Sequence, residues 1–394
     1  MGNQTQIVEQ TKSHIIENYG RLPMAMARGA GTHIWDADGN EYLDFFAGFG
    51  GAGVCGHSHP QVVRAVQLQA ETLMCHGNLF TSAPQVELAK AITSHGFGGK
   101  VFFCHSGAEA NEAAIKLVRK AAGEGRYKII SFENCFHGRT MGGLAITPRN
   151  FQAGFEPMMP GGVMVPYGDL DAVSDAIDDE TAGVFVEPIQ GEGGMNMPPE
   201  DFLPGLRQLC DENNLVLVAD EVWTAPARTG KWYAHQHFGF EPDVMTLAKA
   251  LGGGAPVAAC VASDKYADVL TPGTHGCTMG GNPLCAAAGA ATMKLIEAEN
   301  LTDRAERKGQ WVVQTLSDAN VPCVREIRGK GLMIGVALDE SAVAAKDVML
   351  KCMEHGLLVC VAKQNVLRLA PPLTTPDEDF EKALQTLIRV LKEV

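Results

Sequence analysis

The sequence predicts an α/β protein with a mostly parallel, seven-stranded sheet in a large domain and a second, smaller α/β domain. Seven short apolar runs recur between about residues 100 and 262, and segments with a helical pattern separate several of them. Continuous apolar strands that alternate with helices are typical of a parallel sheet covered on both faces. After residue 283 the pattern changes to long helices and a mixed tail, and 394 residues are too many for one compact core.

The predicted strands of the large sheet are the seven apolar runs themselves. They are Val101–Phe103, Lys128–Ser131, Val163–Val165, Gly183–Val186, Leu215–Val218, Val244–Leu247 and Val257–Cys260. Between the first two runs, Ala110–Ala121 carries its apolar residues on one helical face. This segment therefore predicts a helix that packs on the sheet.

The two ends of the chain predict a different kind of structure. Residues of about 4 to 18 form a helix candidate, and His33–Trp35 and Glu41–Phe45 are predicted strands on either side of a turn at Asp38–Gly39. Near the other end, we predict helices at Pro283–Asn300 and Asp303–Leu316 and strands at Met333–Val336 and Leu357–Cys360.

These patterns predict three segments in the chain. Residues 1–55 form an N-terminal segment that joins the small domain, 56–282 form the large domain, and 283–394 form the C-terminal small domain.

Charge and composition exclude several classes of partner. The chain has 32 Lys and Arg against 46 Asp and Glu, for a net charge of -14, which disfavours binding to nucleic acid or to an anionic membrane surface. No apolar run reaches the roughly 18 residues of a membrane span, and the N-terminus has no signal-peptide pattern. The 11 cysteines are scattered without a Cys-x-x-Cys pair, so we expect a reducing compartment and a cytoplasmic protein.

In an open parallel sheet, ligands bind outside the carboxyl ends of the strands. The residues that follow each apolar run are therefore the candidates for binding and catalysis. After the first run, Ser106 with Glu109 predicts a capping box that opens the following helix. The free backbone N–H groups there could bind a phosphate, or the segment could simply be a well-made helix start.

Two later runs end in charged residues. Asp220 follows one run and Lys249 follows the next. A structural ion pair is one interpretation. The other is a pyridoxal phosphate site, in which the lysine amine forms a Schiff base, the aspartate keeps the pyridine nitrogen protonated and the helix start holds the phosphate.

The chain resembles a known family, the class III pyridoxal-phosphate aminotransferases with the aspartate-aminotransferase fold. The resemblance is greatest to the acetylornithine/ornithine aminotransferases. The resemblance runs from Asn18–Pro23 to Arg368–Pro372. The motifs that carry it are Ser106–Glu112, Phe136–Arg139, Val186–Gly194, Asp220–Val222, Lys249–Gly253 and Gly280–Pro283.

The resemblance implies a role for each residue of the cofactor site. Lys249 and Asp220 would be catalytic, Lys249 by binding pyridoxal 5'-phosphate covalently and moving a proton, and Asp220 by pairing with the ring nitrogen. Phe136 would stack on the ring, and Thr278 would reach the phosphate of the neighbouring subunit, so a homodimer is implied. The cofactor-binding residues would be Ser106, Gly107, Ala108, Phe136, Asp220, Val222, Trp223, Lys249 and Thr278.

The resemblance also implies how substrates bind. Arg139 would bind the carboxylate remote from the reacting carbon, and Arg368 would bind the α-carboxylate of glutamate or 2-oxoglutarate in bidentate geometry. Glu192 would pair with Arg368 while the amino donor reacts through its distal amine. The expected donor is N-acetylornithine, in arginine metabolism, with 2-oxoglutarate as acceptor; ornithine, succinylornithine and 4-aminobutyrate remain alternatives.

The sequence departs from the family at several site positions. Trp223 stands where relatives usually carry a glutamine that contacts the phenolic oxygen of the cofactor; Ala108 replaces a common threonine, and Met279 replaces a common tyrosine. The loop at residues 224–228 is also poorer in glycine than the usual form. These changes concern substrate identity and cofactor affinity rather than the type of reaction.

Two competing hypotheses come from short motifs near the N-terminus. Residues 48–53 match G-x-G-x-x-G, which suggests an NAD-dependent dehydrogenase, although no helix follows directly and no acidic strand end lies about 20 residues later. Cys55, His57 and His59 could be drawn as the ligands of a metallohydrolase, but no second ligand set has a standard spacing. We therefore expect no metal.

Overall fold

The computed structural model of the protein describes residues 4–48, 53–363 and 365–394. Its strands fall into three sheets. In chain order they are β1 (Met26–Ala30), β2 (His33–Asp36), β3 (Glu41–Asp44), β4 (Lys100–Cys104), β5 (Lys128–Phe132), β6 (Gly162–Val165), β7 (Thr181–Val186), β8 (Val216–Asp220), β9 (Val244–Leu247), β10 (Ala258–Ala262), β11 (Val324–Lys330), β12 (Met333–Leu338), β13 (Leu357–Leu358), β14 (Cys360–Ala362) and β15 (Val366–Leu369).

The helices lie between and around these strands. They are α1 (Gln4–His14), α2 (Pro60–Thr72), α3 (Ala83–His95), α4 (Gly107–Ala122), α5 (Met141–Ala145), α6 (Leu170–Ala176), α7 (Phe202–Glu212), α8 (Pro283–Ala298), α9 (Leu301–Asp318), α10 (Ala345–Glu354) and α11 (Asp377–Lys392). Among the described residues, none of these helices has the length and apolar character that crossing a membrane requires.

The large sheet has seven strands in the order β4-β10-β9-β8-β7-β5-β6. Strands β6, β5, β7, β8 and β9 pair in parallel with one another. Strand β10 runs antiparallel to both of its neighbours, β4 and β9. Each of the seven predicted runs overlaps one of these strands, so the prediction of a mostly parallel sheet is confirmed. The central strands β7, β8 and β9 are buried along their whole length, which is why their sequences are mostly apolar.

Helix α4 covers the sheet and begins at the carboxyl end of β4. Its apolar residues, including Ala113, Ala114, Leu117 and Val118, are buried, as expected for a helix whose apolar positions recur every three or four residues. They pack with strand residues such as Phe185 and Val218. The helix start is therefore fixed against the sheet edge where the strands end.

The two smaller sheets use both ends of the chain. One has the order β1-β2-β3-β13 and the other β11-β12-β15-β14. The predicted single strand Leu357–Cys360 is wrong: the chain leaves the first of these sheets after Leu358 and joins the second at Cys360. In β13, Leu357 pairs in parallel with Leu43 of β3, so residues far apart in sequence share one sheet.

The two N-terminal motifs have different outcomes. Residues 49–52 of the G-x-G-x-x-G match lie outside the described residues. The three proposed metal ligands contact different groups: Cys55 Sγ contacts Thr292 Oγ1, His57 Nε2 lies 2.8 Å from Asp44 Oδ2, and His59 accepts from a backbone N–H at the start of α2. They do not form a ligand cluster in the part of the chain that the structure describes.

Candidate active site

A cavity of about 350 Å³ opens at the carboxyl edge of the large sheet. It brings together the predicted site residues Ser106, Gly107, Ala108, Phe136, Arg139, Asp220, Val222, Trp223 and Lys249. Residues that the sequence reasoning gave no role also line it, among them Asn111, His137 and Glu187. This is the edge at which ligands bind in open α/β sheets.

Asp220 and Lys249 meet here because β8 and β9 are adjacent and parallel. Asp220 is the last residue of β8 and pairs with Thr246 of β9, and Lys249 follows the end of β9 by two residues. Lys249 has a positive φ of 40°, an uncommon conformation for a residue with a side chain. Such strained positions are frequent at functional sites.

The Lys249 amine is buried, and burial lowers its pKa, although the negative charges of Glu192 and Asp220 oppose the shift. A lowered pKa makes the neutral, nucleophilic form of the amine easier to reach. The Nζ atom lies 5.0 Å from the centre of the Trp223 ring. This lysine therefore has the environment of a reactive amine.

The carboxylate of Asp220 is held by three hydrogen bonds. Asn111 Nδ2 donates to Oδ2 at 2.8 Å, His137 Nδ1 lies 2.7 Å from the same oxygen, and the backbone N–H of Val222 donates to Oδ1 at 3.1 Å. Burial alone would raise the pKa of Asp220, but the hydrogen bond and charge of His137, together with Asn111, hold it below its usual value. The carboxylate is thus fixed in place and charged.

The first turn of α4 forms one wall of the cavity. The predicted capping box is confirmed: Ser106 Oγ accepts from the backbone N–H of Glu109 at 3.3 Å, and Glu109 Oε2 accepts from the backbone N–H of Ser106 at 2.8 Å. A Cβ at Gly107 would lie 2.9 Å from the Val222 side chain, and one at Gly138 would lie 2.8 Å from Ala108. Glycine at both positions therefore allows this wall to pack closely. The backbone N–H groups of the first helical turn have no intrahelical acceptor, so this wall suits the binding of an anion.

Glu192 and Arg368 form an ion pair beside the cavity. Arg368 Nη1 lies 2.9 Å from Glu192 Oε1, and Arg368 is fully buried. Burial alone would raise the pKa of Glu192, but the charge and hydrogen bond of Arg368 hold it below its usual value. The predicted pair is therefore present in the structure.

Trp223, which lines the cavity, also joins this pair. Its indole N–H donates to Glu192 Oε1 at 3.0 Å, and the Arg368 guanidinium lies 5.3 Å from its ring centre. The ring fits because Gly191 has no side chain: a Cβ there would lie 2.7 Å from the indole. Trp223 thus links Lys249 on one side with the Glu192–Arg368 pair on the other.

Arg139 and Phe136 lie at the entrance of the cavity. The Arg139 side chain is exposed, and its guanidinium lies 5.4 Å from the ring centre of Phe136 and 4.6 Å from that of Phe151. No carboxylate pairs with Arg139 among the described residues, so its charge is available to a ligand.

Glu187 is a buried acid that the sequence reasoning passed over. It is the first residue after β7, next to the cavity, and burial raises its pKa to about 8. Near neutral pH this carboxyl therefore keeps its proton. Its position directly after a strand of the parallel sheet could have identified it as a site residue from the sequence, as the same position did for Asp220.

Thr278 lies apart from the other predicted residues. It is exposed and lines a separate surface pocket with Cys277 and Met279. Its predicted contact is with the phosphate site of a second subunit, and it stays a prediction.

The chain matches one family over nearly its whole length: the family model described as aminotransferase class-III covers residues 15–391. The chain is a class-III aminotransferase. Aminotransferases of this class depend on pyridoxal phosphate. The cavity fits that group, because a buried lysine, a fixed aspartate and a helix start without side-chain obstruction line it together.

Curated relatives of this aminotransferase carry a more specific name. The acetylornithine aminotransferase of Caldanaerobacter subterraneus subsp. tengcongensis is 44% identical over 98% of this chain and 100% of its own length. That of Methanopyrus kandleri is 46% identical over 96% of both chains.

Solved structures show the same fold. The ornithine aminotransferase of Toxoplasma gondii superposes with a TM-score of 0.94 at 34% identity, covering 100% of this chain and 95% of that one. The acetylornithine aminotransferase of Elizabethkingia anophelis superposes with a TM-score of 0.88, also at 34% identity and with both chains fully covered. The predicted family, its fold and the aminotransferase activity are confirmed.

Proposed function

We propose that this aminotransferase moves the distal amino group of N-acetylornithine to 2-oxoglutarate, giving the semialdehyde and glutamate, as a cytoplasmic step of arginine biosynthesis. The observation that carries the proposal is the Glu192–Arg368 pair beside Lys249, in which Arg368 is buried and Glu192 is partly buried. A donor that reacts through a terminal amine has no carboxylate next to the reacting carbon, so the arginine there needs an internal partner. The names of the curated relatives support the same donor.

Each cofactor residue has a proposed task. The bound pyridoxal phosphate supplies an electron-withdrawing ring that stabilises negative charge at the substrate carbon. Ser106, Gly107 and Ala108 bind the phosphate at the start of α4. Asp220 would hold a proton on the ring nitrogen, because its carboxylate stays charged next to His137.

The remaining residues act on the substrate and the ring. Lys249 would attach the cofactor through Nζ and move the proton at the reacting carbon, and Phe136, Val222 and Trp223, which line the same cavity, would hold the ring. Arg139 binds the distal carboxylate of each substrate. Arg368 binds the α-carboxylate of glutamate or 2-oxoglutarate after Glu192 releases it.

Two further proposals concern assembly. We propose a homodimer in which Thr278 of one subunit reaches the phosphate site of the other, which agrees with its exposure at the surface.

We also propose that the chain divides into residues 1–55, 56–282 and 283–394, with the first and third segments forming one small domain. The pairing of β3 with β13 supports that grouping.

Ornithine is the second candidate donor, because the structure superposes closely on an ornithine aminotransferase. Both donors react through a terminal amine, and they differ in whether the α-amine is acylated. Initial rates with N-acetylornithine, ornithine, succinylornithine and 4-aminobutyrate, each with 2-oxoglutarate and followed by glutamate formation, test the proposal. A kcat/KM for N-acetylornithine below that for ornithine would overturn the choice of donor.

Substitutions of the ion pair should affect the two half-reactions in opposite ways. Arg368→Ala removes the partner of the α-carboxylate, so the half-reaction with 2-oxoglutarate should slow by about a hundredfold or more and that with N-acetylornithine far less. Glu192→Ala leaves Arg368 unpaired, so it should favour glutamate over the terminal-amine donor. Single-turnover absorbance of each half-reaction measures both effects. Equal losses in the two half-reactions for Arg368→Ala would contradict the switch.

Trp223→Phe should loosen the same pair while keeping an aromatic ring. The indole N–H donates to Glu192, and a hydrogen bond to a charged group contributes about 1.5–3 kcal/mol. We expect the ratio of the two half-reaction rates to shift by about tenfold toward glutamate. The control is Trp232→Phe, since that ring stacks on His95 away from the cavity. An unchanged ratio in Trp223→Phe would mean that the indole contributes packing alone.

A further inference from the structure

Three side chains with metal-binding atoms meet beside the start of α4, next to the cofactor cavity, which His105 also lines. His105 precedes the helix, Glu109 lies in its first turn, and Cys277 comes from the loop before α8. They line a pocket of about 410 Å³ together with Thr278, and each of the three side chains is partly exposed in the single chain. In the proposed homodimer this pocket lies beside the subunit contact that Thr278 makes. Among the described residues, this is the group of His, Cys and acidic side chains whose ligand atoms lie close enough to hold one ion.

The distances between the three atoms match one face of a tetrahedron around zinc. Cys277 Sγ lies 3.4 Å from His105 Nδ1 and 3.9 Å from Glu109 Oε1, and the last two atoms are 3.2 Å apart. Bond lengths of about 2.0–2.3 Å and tetrahedral angles require separations of about 3.3–3.6 Å. A small movement of the Cys277 side chain would therefore complete the face.

The capping box presents Glu109 as a ligand. Its Oε2 atom accepts hydrogen bonds from the backbone N–H groups of His105 and Ser106 and from the Ser106 hydroxyl. The carboxylate is thereby oriented, and Oε1 faces the imidazole and the thiol. Hydrogen bonds that fix a ligand in this way are the usual support of a metal site.

We propose that His105, Glu109 and Cys277 bind a thiophilic divalent cation of the Zn²⁺ type, with the fourth position open to water. One nitrogen, one sulfur and one carboxylate oxygen form a ligand set that suits Zn²⁺ and disfavours Mg²⁺ or Ca²⁺. The proposal differs from the expectation, drawn from the sequence, that the chain has no metal. The site does not depend on the proposed amino donor.

A bound ion would connect two segments that are 172 residues apart in sequence. One segment leads into Ser106–Ala108 at the cofactor cavity, and the other continues into Thr278 and Met279. The ion would therefore fix the Cys277 loop against the proposed phosphate site. This arrangement provides a route by which a metal could modulate the aminotransferase.

Titration of the tag-free holoenzyme with Co²⁺ tests the site. Four-coordinate cobalt with a thiolate ligand absorbs in the visible range, so binding and ligand type are read together. We expect saturation at about one Co²⁺ per chain, displacement by Zn²⁺, and a rise in melting temperature with Zn²⁺. Cys277→Ser and His105→Gln should each weaken binding by about tenfold or more.

Cys75→Ser is the matched control, because Cys75 is an exposed thiol elsewhere on the surface. It should leave the titration unchanged. Failure of the parent protein to saturate, binding that survives either ligand substitution, or loss of binding in Cys75→Ser would each overturn the proposal. If Cys277→Ser melts too early to titrate, His105→Gln decides the matter.

Discussion

Replacing Lys249 by alanine is expected to abolish transamination, with a fall in kcat of about a thousandfold or more. The lysine has two proposed tasks, covalent attachment of the cofactor and proton transfer at the substrate carbon. Among the described residues that line the cavity, no other lysine is present to take over either task. Its amine is buried, and burial lowers its pKa, so it can act as a neutral base. Asp220 lies at the adjacent strand end, where it would pair with the ring nitrogen of the cofactor.

Borohydride reduction separates attachment from binding. The parent protein should keep pyridoxal phosphate through denaturation after reduction, and Lys249→Ala should release it. Lys100→Ala is the control, since Lys100 is a surface residue paired with Asp268. If the Lys249→Ala protein still retained the cofactor after reduction and denaturation, another amine would be the point of attachment.

Much of this site could be predicted because a parallel sheet converts sequence order into position. Strands β8 and β9 are buried, so their apolar runs are visible in the sequence, and the charged residues after them must lie at one edge. The capping box could also be predicted, because both of its partners lie within one helical turn. Both features depend on residues that are close in sequence or that end adjacent strands of the same sheet.

The parts that the sequence could not predict depend on contacts between distant segments. Nothing near Trp223 indicates that its N–H donates to Glu192, 31 residues away, because the contact requires the loop around Gly191 to pass over the indole. The same holds for Cys277, which meets His105 across 172 residues. The division of residues 357–360 between two sheets is likewise set by partner strands.

Asp220→Asn is expected to lower kcat by about a hundredfold or more while the cofactor remains bound. The carboxylate keeps the ring nitrogen protonated, and a neutral amide cannot stabilise that charge. Asn111, His137 and the Val222 N–H all point donors at Asp220. At least one of these three must face the amide NH₂ group of the variant, so a loss of stability of about 1–3 kcal/mol should accompany the loss of rate.

Three measurements separate these effects: kcat at saturating substrate, the cofactor content after gel filtration, and the melting temperature. A structural role alone predicts a lower melting temperature with kcat reduced a few-fold at most in the protein that remains folded and loaded. An electrostatic role predicts the full loss of kcat in that same population, because the ring nitrogen loses its proton whether or not the fold is intact. Asp268→Asn, at an exposed ion pair with Lys100, controls for the substitution itself and should change neither rate nor cofactor content. A fully loaded, folded Asp220→Asn protein within a few-fold of the parent kcat would assign Asp220 to the hydrogen-bond network of the sheet edge and leave the ring nitrogen to another group.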